Sequence, residues 1–173
     1  MPRPASDVDV RVAREDELAA VGALTVAGYD ADDYLRLPDG SYDHEYAAWL
    51  VDAAARAEDA VLLVATLGDE LVGTVTWCPY GSSSAQLARD PHQGEIRTLS
   101  VAPTARRRGV ARALVAECLR RARAAGLDEI VLSSRDELRP AHRLYASLGF
   151  VRRPELDWDP VPAVHLWAFS LAL

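Results

Sequence analysis

The chain has 173 residues, of which 50% are apolar, and its formal net charge is −7 at neutral pH. This length suits one domain with its own core, so we expect a single domain over residues 1–173. No uninterrupted apolar run reaches the roughly 18 residues of a membrane span, and the negative charge opposes binding to nucleic acid or to an anionic membrane. Nucleic-acid and membrane partners are therefore not expected.

The cysteines and the first residues of the chain bear on its location. Cys78 and Cys118 are too few and too far apart to form a disulfide framework. Residues 1–7 lack the apolar segment of a secretory signal. We therefore expect a reducing, cytoplasmic location.

The first half of the chain predicts a strand, two helices and a hairpin. Residues 8–12 alternate apolar and polar side chains, as a half-buried strand does, and residues 15–26 carry apolar side chains at helical spacing. Residues 46–57 predict a second helix. The β-rich runs 61–66 and 71–77 are joined through a Gly-Asp pair that is typical of a hairpin turn.

The second half predicts further strands and two more helices. Residues 109–125 are the clearest helix, because their apolar side chains recur every four residues and Gly126 follows as a terminator. Pro140 suits the first turn of a shorter helix that Gly149 ends. The predicted strands are 95–101, 130–133, 150–152 and 164–171, with a rigid connection at 154–162. This order predicts an α/β fold, in which helices pack on the faces of a mixed sheet.

A basic turn at residues 106–112 joins the strand 95–101 to the clearest helix. At a helix start, unpaired N–H groups and the positive end of the helix dipole point to one place. Gly109 lets a ligand approach the backbone, and the arginines of the turn can donate charge-assisted hydrogen bonds to phosphate oxygens. The turn therefore predicts a pyrophosphate site, although an ordinary helix start has the same local pattern.

Two motifs give the chain a family resemblance. Arg106-Arg107-Arg108-Gly109-Val110-Ala111 matches the R/Q-x-x-G-x-G/A signature of the GNAT superfamily of N-acetyltransferases, and it follows Leu99-Ser100-Val101 at the spacing of that family. Residues 141–150 match the late family pattern A-x-x-L-Y-x-x-x-G-F. The chain thus resembles a GNAT N-acetyltransferase over residues 60–153.

The resemblance implies a GNAT-like fold with acetyl-coenzyme A (acetyl-CoA) as cosubstrate. The central mixed sheet would be splayed at its fourth strand, with helices on both faces, and the exposed backbone of that strand would bind the pantetheine arm. The four histidines show no metal-ligand spacing, so no metal is expected. The predicted cofactor-binding residues are Leu99, Ser100, Val101, Arg106, Arg107, Arg108, Gly109, Val110, Ala111 and Arg112.

Acetyl transfer to an amine needs a proton donor, a proton acceptor and an oxyanion donor. The resemblance implies that Tyr145 protonates the departing thiolate, with a packed aromatic side chain as the alternative, and that the N–H of Leu99 or a neighbour binds the oxyanion. Glu95 is the candidate base, because some family members carry a catalytic glutamate there. The alternatives are an ion pair with an arginine, a solvated strand end, or a water chain without a dedicated base. Ser133 and Leu138 depart from the glutamate and asparagine that other members carry at those places.

The predicted acceptor is a primary amine of a small molecule or a peptide. In this family the segment after the first helix borders the acceptor, and here it carries Tyr29, Asp30, Asp32, Asp33, Tyr34, Tyr42 and Trp49. Aromatic and acidic side chains suit a protonated amine, while an ordinary acidic surface loop is the alternative. Other candidate functions are a non-catalytic acyl-CoA sensor of the same fold and an unrelated nucleotide-binding module, whose glycine motifs are absent. Family members are often homodimers.

Overall fold

The computed structural model describes residues 7–173. Residues 1–6, which held most of the segment used to argue against a secretory signal, lie outside the described residues. The strands are β1 (Val8–Val12), β2 (Val61–Leu67), β3 (Glu70–Pro79), β4 (Gln93–Val101), β5 (Glu129–Arg135), β6 (Val151–Arg152), β7 (Trp158–Val161) and β8 (Val164–Ala172). The helices are α1 (Leu18–Asp30), α2 (His44–Val51), α3 (Ala53–Ala57), α4 (Val110–Ala124) and α5 (Arg139–Ser147). Across residues 7–173, none of these helices combines the length and the apolar character needed to cross a membrane.

The strands form one sheet in the order β1-β2-β3-β4-β5-β8-β6, and β7 also pairs with β8. Every pair is antiparallel except β4 and β5, which are parallel. Two antiparallel blocks therefore meet at the single parallel pair. The mixed α/β sheet predicted from the sequence is confirmed.

Helices cover both faces of this sheet, as the packing of the β2 side chains shows. Leu63 packs with Leu114 of α4 in the larger hydrophobic cluster, which also takes in side chains of α5. Leu62 and Val64 pack with Val21 of α1 in a second cluster on the opposite face. Because alternate strand residues point to opposite faces, a strand covered on both sides is apolar at nearly every position. The α4 positions that step by four along the sequence are all buried, at 0–1% exposure, which confirms that stripe: Val110, Leu114, Cys118 and Ala122.

Three elements of the structure differ from the sequence prediction. The helix predicted at 46–57 is two helices, because Asp52 leaves helical geometry and its carboxylate accepts the N–H of Ala55 as an N-cap. The first helix starts later and runs to Asp30, after a short 3₁₀ turn at Glu15–Glu17. The connection predicted at 154–162 contains the strand β7, which returns into β8 through a two-residue turn.

The sheet splits at β4. Its pairing with β5 runs from Gln93 opposite Glu129 to Ile96 opposite Leu132, and then stops. Beyond that point β4 stays paired with β3 as far as Val101, while β5 stays paired with β8 as far as Arg135. A V-shaped gap therefore opens between the two strands, and the predicted splaying at the fourth strand is confirmed.

Candidate active site

A β-bulge lies at the start of the split. The register between β3 and β4 shifts between Thr74 and Thr76, so that Thr98 and Leu99 together face one residue of β3, and Thr98 has a positive φ of 52°. Bulges bend a strand and redirect its backbone groups. The hydroxyls of Thr76 and Thr98 share a hydrogen bond of 2.6 Å, which links the bulge to β3.

The backbone of β4 offers donors to the gap. The N–H of Ala102 donates to the carbonyl of Val72 in β3 over 2.8 Å. Because successive N–H groups of a strand alternate between its two edges, the N–H groups of Val101 and Leu99 point away from β3 and into the gap. Within the described chain no strand stands opposite them, so these groups are available to a ligand.

The basic turn closes one end of this gap. Gly109 is the N-cap of α4 with φ of 84°, and no side chain caps the helix. An added Cβ on Gly109 would meet no atom within 4 Å, so the space beside it is open. A cavity of about 270 Å³ lies here, and its walls include Leu144 of α5. The other lining residues are Val101, Ala105, Arg106, Arg107, Gly109, Val110, Ala111 and Arg112.

The structure thus brings seven of the ten predicted cofactor residues to one cavity. Leu99, Ser100 and Arg108 do not line it. The Ser100 hydroxyl instead points to α1, where it donates to the carbonyls of Leu24 and Thr25 at 3.2 and 3.3 Å. Ser100 is therefore a contact between β4 and α1, and only its strand neighbours offer N–H groups to the gap.

The arginine side chains of the turn have different partners. Arg106 forms a two-pronged ion pair with Asp32, at 2.7 and 2.8 Å, and this pair joins the turn to the segment after α1. The guanidinium of Arg112 donates to the hydroxyl of Ser147 in α5 over 2.7 Å. The hydrogen bonds of Arg106 are therefore directed to a carboxylate of the protein, while the N–H groups at the start of α4 have no side-chain cap from residues 7–173.

Tyr145 lies on the α5 side of the gap and is 6% exposed. Its ring packs against Phe150 and Phe169, with ring centroids 5.8 and 5.7 Å apart. Burial raises the pKa of the Tyr145 hydroxyl above its ordinary value, and the nearby Tyr34 raises it further. The phenol is therefore fully protonated at neutral pH and can act only as a proton donor there.

Glu95 is fully buried and lies where β4 and β5 still pair. Its Oε2 accepts three backbone hydrogen bonds, from Gln86, Leu87 and Ala88, at 2.7, 2.7 and 3.0 Å. Its Oε1 has no hydrogen-bond partner among residues 7–173. The two structural alternatives for Glu95, an arginine ion pair and a solvated strand end, are both wrong, because the carboxylate anchors the loop that precedes β4.

The aromatic side chains that were predicted to border the acceptor lie at the end of α1, in the segment that follows it and in α2, and their rings are already in contact with protein groups. Tyr29 contacts Tyr34 and Tyr46 edge to face, and Tyr46 stacks on Trp49. Guanidinium groups lie over the ring of Trp49 and also over the rings of Tyr34 and Tyr42. The faces that we predicted for a protonated amine thus carry the arginines of the protein itself.

No metal site was expected from the histidine spacing, and residues 7–173 contain no group of three or more His, Cys, Asp or Glu side chains able to hold a metal ion. Two features of the site were not predicted from the sequence. The first is Leu144, which lines the cavity and could have been identified from the late family motif that contains it. The loop 86–88 that binds Glu95 has no motif, so no local pattern could have found it.

A split mixed sheet, with an uncapped glycine-started helix at the split, defines an α/β protein with an open cleft at a helix N-terminus. The family model described as "Acetyltransferase (GNAT) family" matches residues 26–150. The chain therefore belongs to the GNAT acetyltransferase family.

Solved structures agree with this fold. A putative acetyltransferase, yncA from Salmonella typhimurium, solved with its cofactor acetyl-CoA, is 18% identical with a TM-score of 0.67, over 96% of this chain and 94% of that one. A GNAT-family acetyltransferase from Staphylococcus aureus Mu50 is 13% identical with a TM-score of 0.72, over 96% and 99%. A ribosomal-protein-alanine N-acetyltransferase from Brucella melitensis is 21% identical with a TM-score of 0.66, over 95% and 99%. A search of curated proteins found no significant match.

Proposed function

We propose that this protein transfers an acetyl group from acetyl-CoA to a primary amine of a small molecule or peptide, without a metal. The observation that carries the proposal is the meeting of three features at one gap. These are the inward N–H groups of Leu99 and Val101, the uncapped start of α4 at Gly109, and the buried phenol of Tyr145. A phosphate-bearing thioester fits this set, because its phosphates need N–H donors and its thiolate needs a proton.

The β4 backbone stabilises the charge that develops during transfer. The amine attacks the thioester carbonyl carbon, and the resulting oxyanion accepts a hydrogen bond from the N–H of Leu99. The bulge at Thr98 directs this donor, and the rigid pairing with β3 holds it before the reaction starts. Preorganised donors of this kind favour the charged intermediate over the neutral ground state.

Tyr145 supplies the proton that the departing thiolate takes when the C–S bond breaks. Its raised pKa keeps the phenol protonated until that negative charge forms nearby. Phe150 and Phe169 fix the orientation of the Tyr145 ring, so its hydroxyl is held in one position before the reaction starts. The proton is therefore delivered only as the thiolate leaves.

Glu95 accepts the proton that the amine loses, directly or through water. The atom left for this role is Oε1, which is buried and has no hydrogen-bond partner among residues 7–173, because Oε2 is occupied by the loop 86–88. The same three hydrogen bonds hold the carboxylate in one orientation. One oxygen of the Glu95 carboxylate thus binds the loop, and the other oxygen accepts the proton.

Acetyl-CoA binding is tested with a matched pair of glycines. Gly109 and Gly126 lie at the two ends of α4, both have positive φ, and an added Cβ at either would meet no atom within 4 Å. Substitution by alanine therefore costs both variants about 1 kcal/mol of backbone strain. Calorimetry should show that Gly109→Ala loses acetyl-CoA affinity by roughly tenfold or more, since a poorly placed donor costs about 1.4 kcal/mol. Gly126→Ala should bind like the wild type.

Turnover is tested by thiol release with a panel of primary amines. Tyr145→Phe should lower kcat by roughly 100-fold, the lower range for loss of a general acid, while acetyl-CoA affinity is unchanged. Tyr80→Phe changes a half-exposed tyrosine and is the control. Unchanged turnover in Tyr145→Phe would remove the acid assignment, and acetyl-CoA binding without thiol release from any amine would favour the non-catalytic acyl-CoA sensor.

A further inference from the structure

Two arginines lie on one tryptophan at the acceptor side of the split. The Cζ atoms of Arg56 and Arg97 are 5.3 and 5.1 Å from the ring centroid of Trp49. Arg97 follows Ile96 directly, and Ile96 is the last residue of β4 that pairs with β5. Its contact with α2 places the side chain on the sheet face opposite α4 and Tyr145.

Arg56 is a buried cation that forms no ion pair with a carboxylate of residues 7–173. It is 2% exposed, and its Nη1 donates to the carbonyls of Trp49 and Leu50 at 2.9 and 2.5 Å. Its Nε and Nη2 are buried and have no hydrogen-bond partner in the described part of the chain. Burial of an unpaired charge is costly, so such donors favour a nearby anion.

Arg97 is the accessible member of the pair. Its Nη1 donates to the carbonyl of Ser84 over 2.6 Å, which is its only side-chain hydrogen bond within residues 7–173. A guanidinium has five N–H donors, so most of its donors are free. Glu95 lies two residues before Arg97 on β4, and its Oε2 is turned to the loop 86–88. The Nε and Nη2 groups of Arg97 therefore have no acceptor within residues 7–173 and can donate to an anion in the gap.

We propose that the acceptor carries a carboxylate close to its amine, and that Arg97 selects it by binding that carboxylate. The inference rests on the proposed acetyl transfer and names its substrate class. Arg97 and Leu99 lie on either side of Thr98 in the bulge of β4, only two residues apart, so the group bound by Arg97 and the amine at the Leu99 backbone belong to a molecule of amino-acid size. A guanidinium group matches a carboxylate in shape and charge. Arg56 lies on the same indole ring and adds a second positive charge nearby.

Pairs of acceptors that differ only in the carboxylate test this proposal. Glycine, L-alanine, L-leucine and L-phenylalanine are each compared with the corresponding C-terminal amide in the thiol-release assay. The carboxylate stabilises the ammonium form of its neighbour, so intrinsic reactivity favours the amides. The wild type should nevertheless show a kcat/KM for at least one free amino acid that is roughly tenfold or more above that for its amide, the effect of one charge-assisted contact.

Variants of Arg97 link this preference to one side chain. Arg97→Gln should raise KM for the free acid and bring the acid-to-amide ratio to one or below, while acetyl-CoA affinity is kept; Arg97→Lys should restore part of the ratio. Arg123→Gln makes the same charge change on the exposed surface of α4 and should leave the ratio unchanged.

The outcomes separate the two proposals. An equal or greater kcat/KM for the amides, or a ratio that Arg97→Gln leaves intact, overturns the carboxylate proposal while acetyl transfer stands. Absence of thiol release from every amine overturns acetyl transfer itself, and the carboxylate proposal with it.

Discussion

The substitution Glu95→Gln separates the two roles that this buried carboxylate combines. A glutamine carbonyl oxygen placed at the Oε2 position keeps an acceptor for the N–H groups of Gln86, Leu87 and Ala88. The atom at the Oε1 position becomes an amide nitrogen, which cannot take up a proton at neutral pH. The variant therefore keeps the loop in place and removes the base.

The magnitudes follow from these contacts. Hydrogen bonds to a charged acceptor contribute about 1 kcal/mol more than neutral ones, so the three bonds of Glu95→Gln lose about 3 kcal/mol in total. That loss lowers Tm by about 6–12 °C in a domain of this size. Loss of a general base lowers kcat by roughly 100-fold or more. Glu95→Ala is the comparison, because it leaves the three N–H groups without an acceptor and should unfold at a lower temperature still.

The assay is thiol release at saturating acetyl-CoA, with the rate followed across the neutral and mildly alkaline range. Glu95→Gln should be slow near neutral pH and recover as the amine itself loses its proton at higher pH. Thermal unfolding of the same samples shows that the variant is folded. If Glu95→Gln keeps the wild-type rate and pH profile while only Glu95→Ala loses activity, Glu95 is a loop anchor and the base assignment is wrong.

Three further substitutions test the packing and the ionisation states. Gly28→Ala places a Cβ 1.9 Å from the Ser100 hydroxyl and should lower the free energy of unfolding by about 1–3 kcal/mol, measured by denaturant unfolding. Burial lowers the pKa of His142 below 6.5, so the unfolded chain binds its proton more readily. Wild-type stability should therefore fall as pH drops below about 6.5, and His142→Gln should reduce that fall. The bond to Arg11 lowers the pKa of Glu17 to about 2, so its stabilisation is present above about 4.5 and lost as pH falls through about 2. Glu17→Gln should destabilise the protein by about 1 kcal/mol at neutral pH and not at the acid limit.

Each of these expectations has a clear contrary result. Wild-type stability in Gly28→Ala would show that α1 shifts away from β4 without cost. The same acid dependence in wild type and His142→Gln would assign that dependence to other groups. A stability difference for Glu17→Gln that does not change with pH would mean that packing, and not charge, sets the effect.

The fold was predictable wherever one residue type determines the local backbone. Gly126 and Gly149 end their helices with positive φ, and Pro140 lies in the first turn of α5, as the sequence indicated. The break at Asp52 was missed because the flanking alanines favour a continuous helix, and only the cap to the N–H of Ala55 reveals the interruption. The strand β7 was missed because Pro160 within it argues against a strand, yet pairing along the edge of β8 tolerates this proline.

The site was predictable only in part, for a related reason. The turn before α4 is local, so one motif identified Gly109 and its neighbours. The gap depends instead on the register of three strands and on a bulge at Thr98, and no single segment encodes that register. The partner of Glu95 is a loop seven to nine residues upstream without a pattern of its own. The sequence therefore predicted most of the residues that line the cavity, while the directions of their groups depend on the fold.

The acceptor side shows why net charge is a poor guide to a local site. The chain carries a net charge of −7 and acidic residues crowd its first third, which favoured a cationic ligand. Folding pairs Asp32 with Arg106 and so removes that carboxylate from the acceptor side. It also brings Arg56 and Arg97, which are distant in sequence, onto one indole ring. Because a buried charge acts over short range far more strongly than many exposed ones, these two arginines can favour an anion locally in a chain of negative net charge, and the proposed acceptor carboxylate follows from that local arrangement.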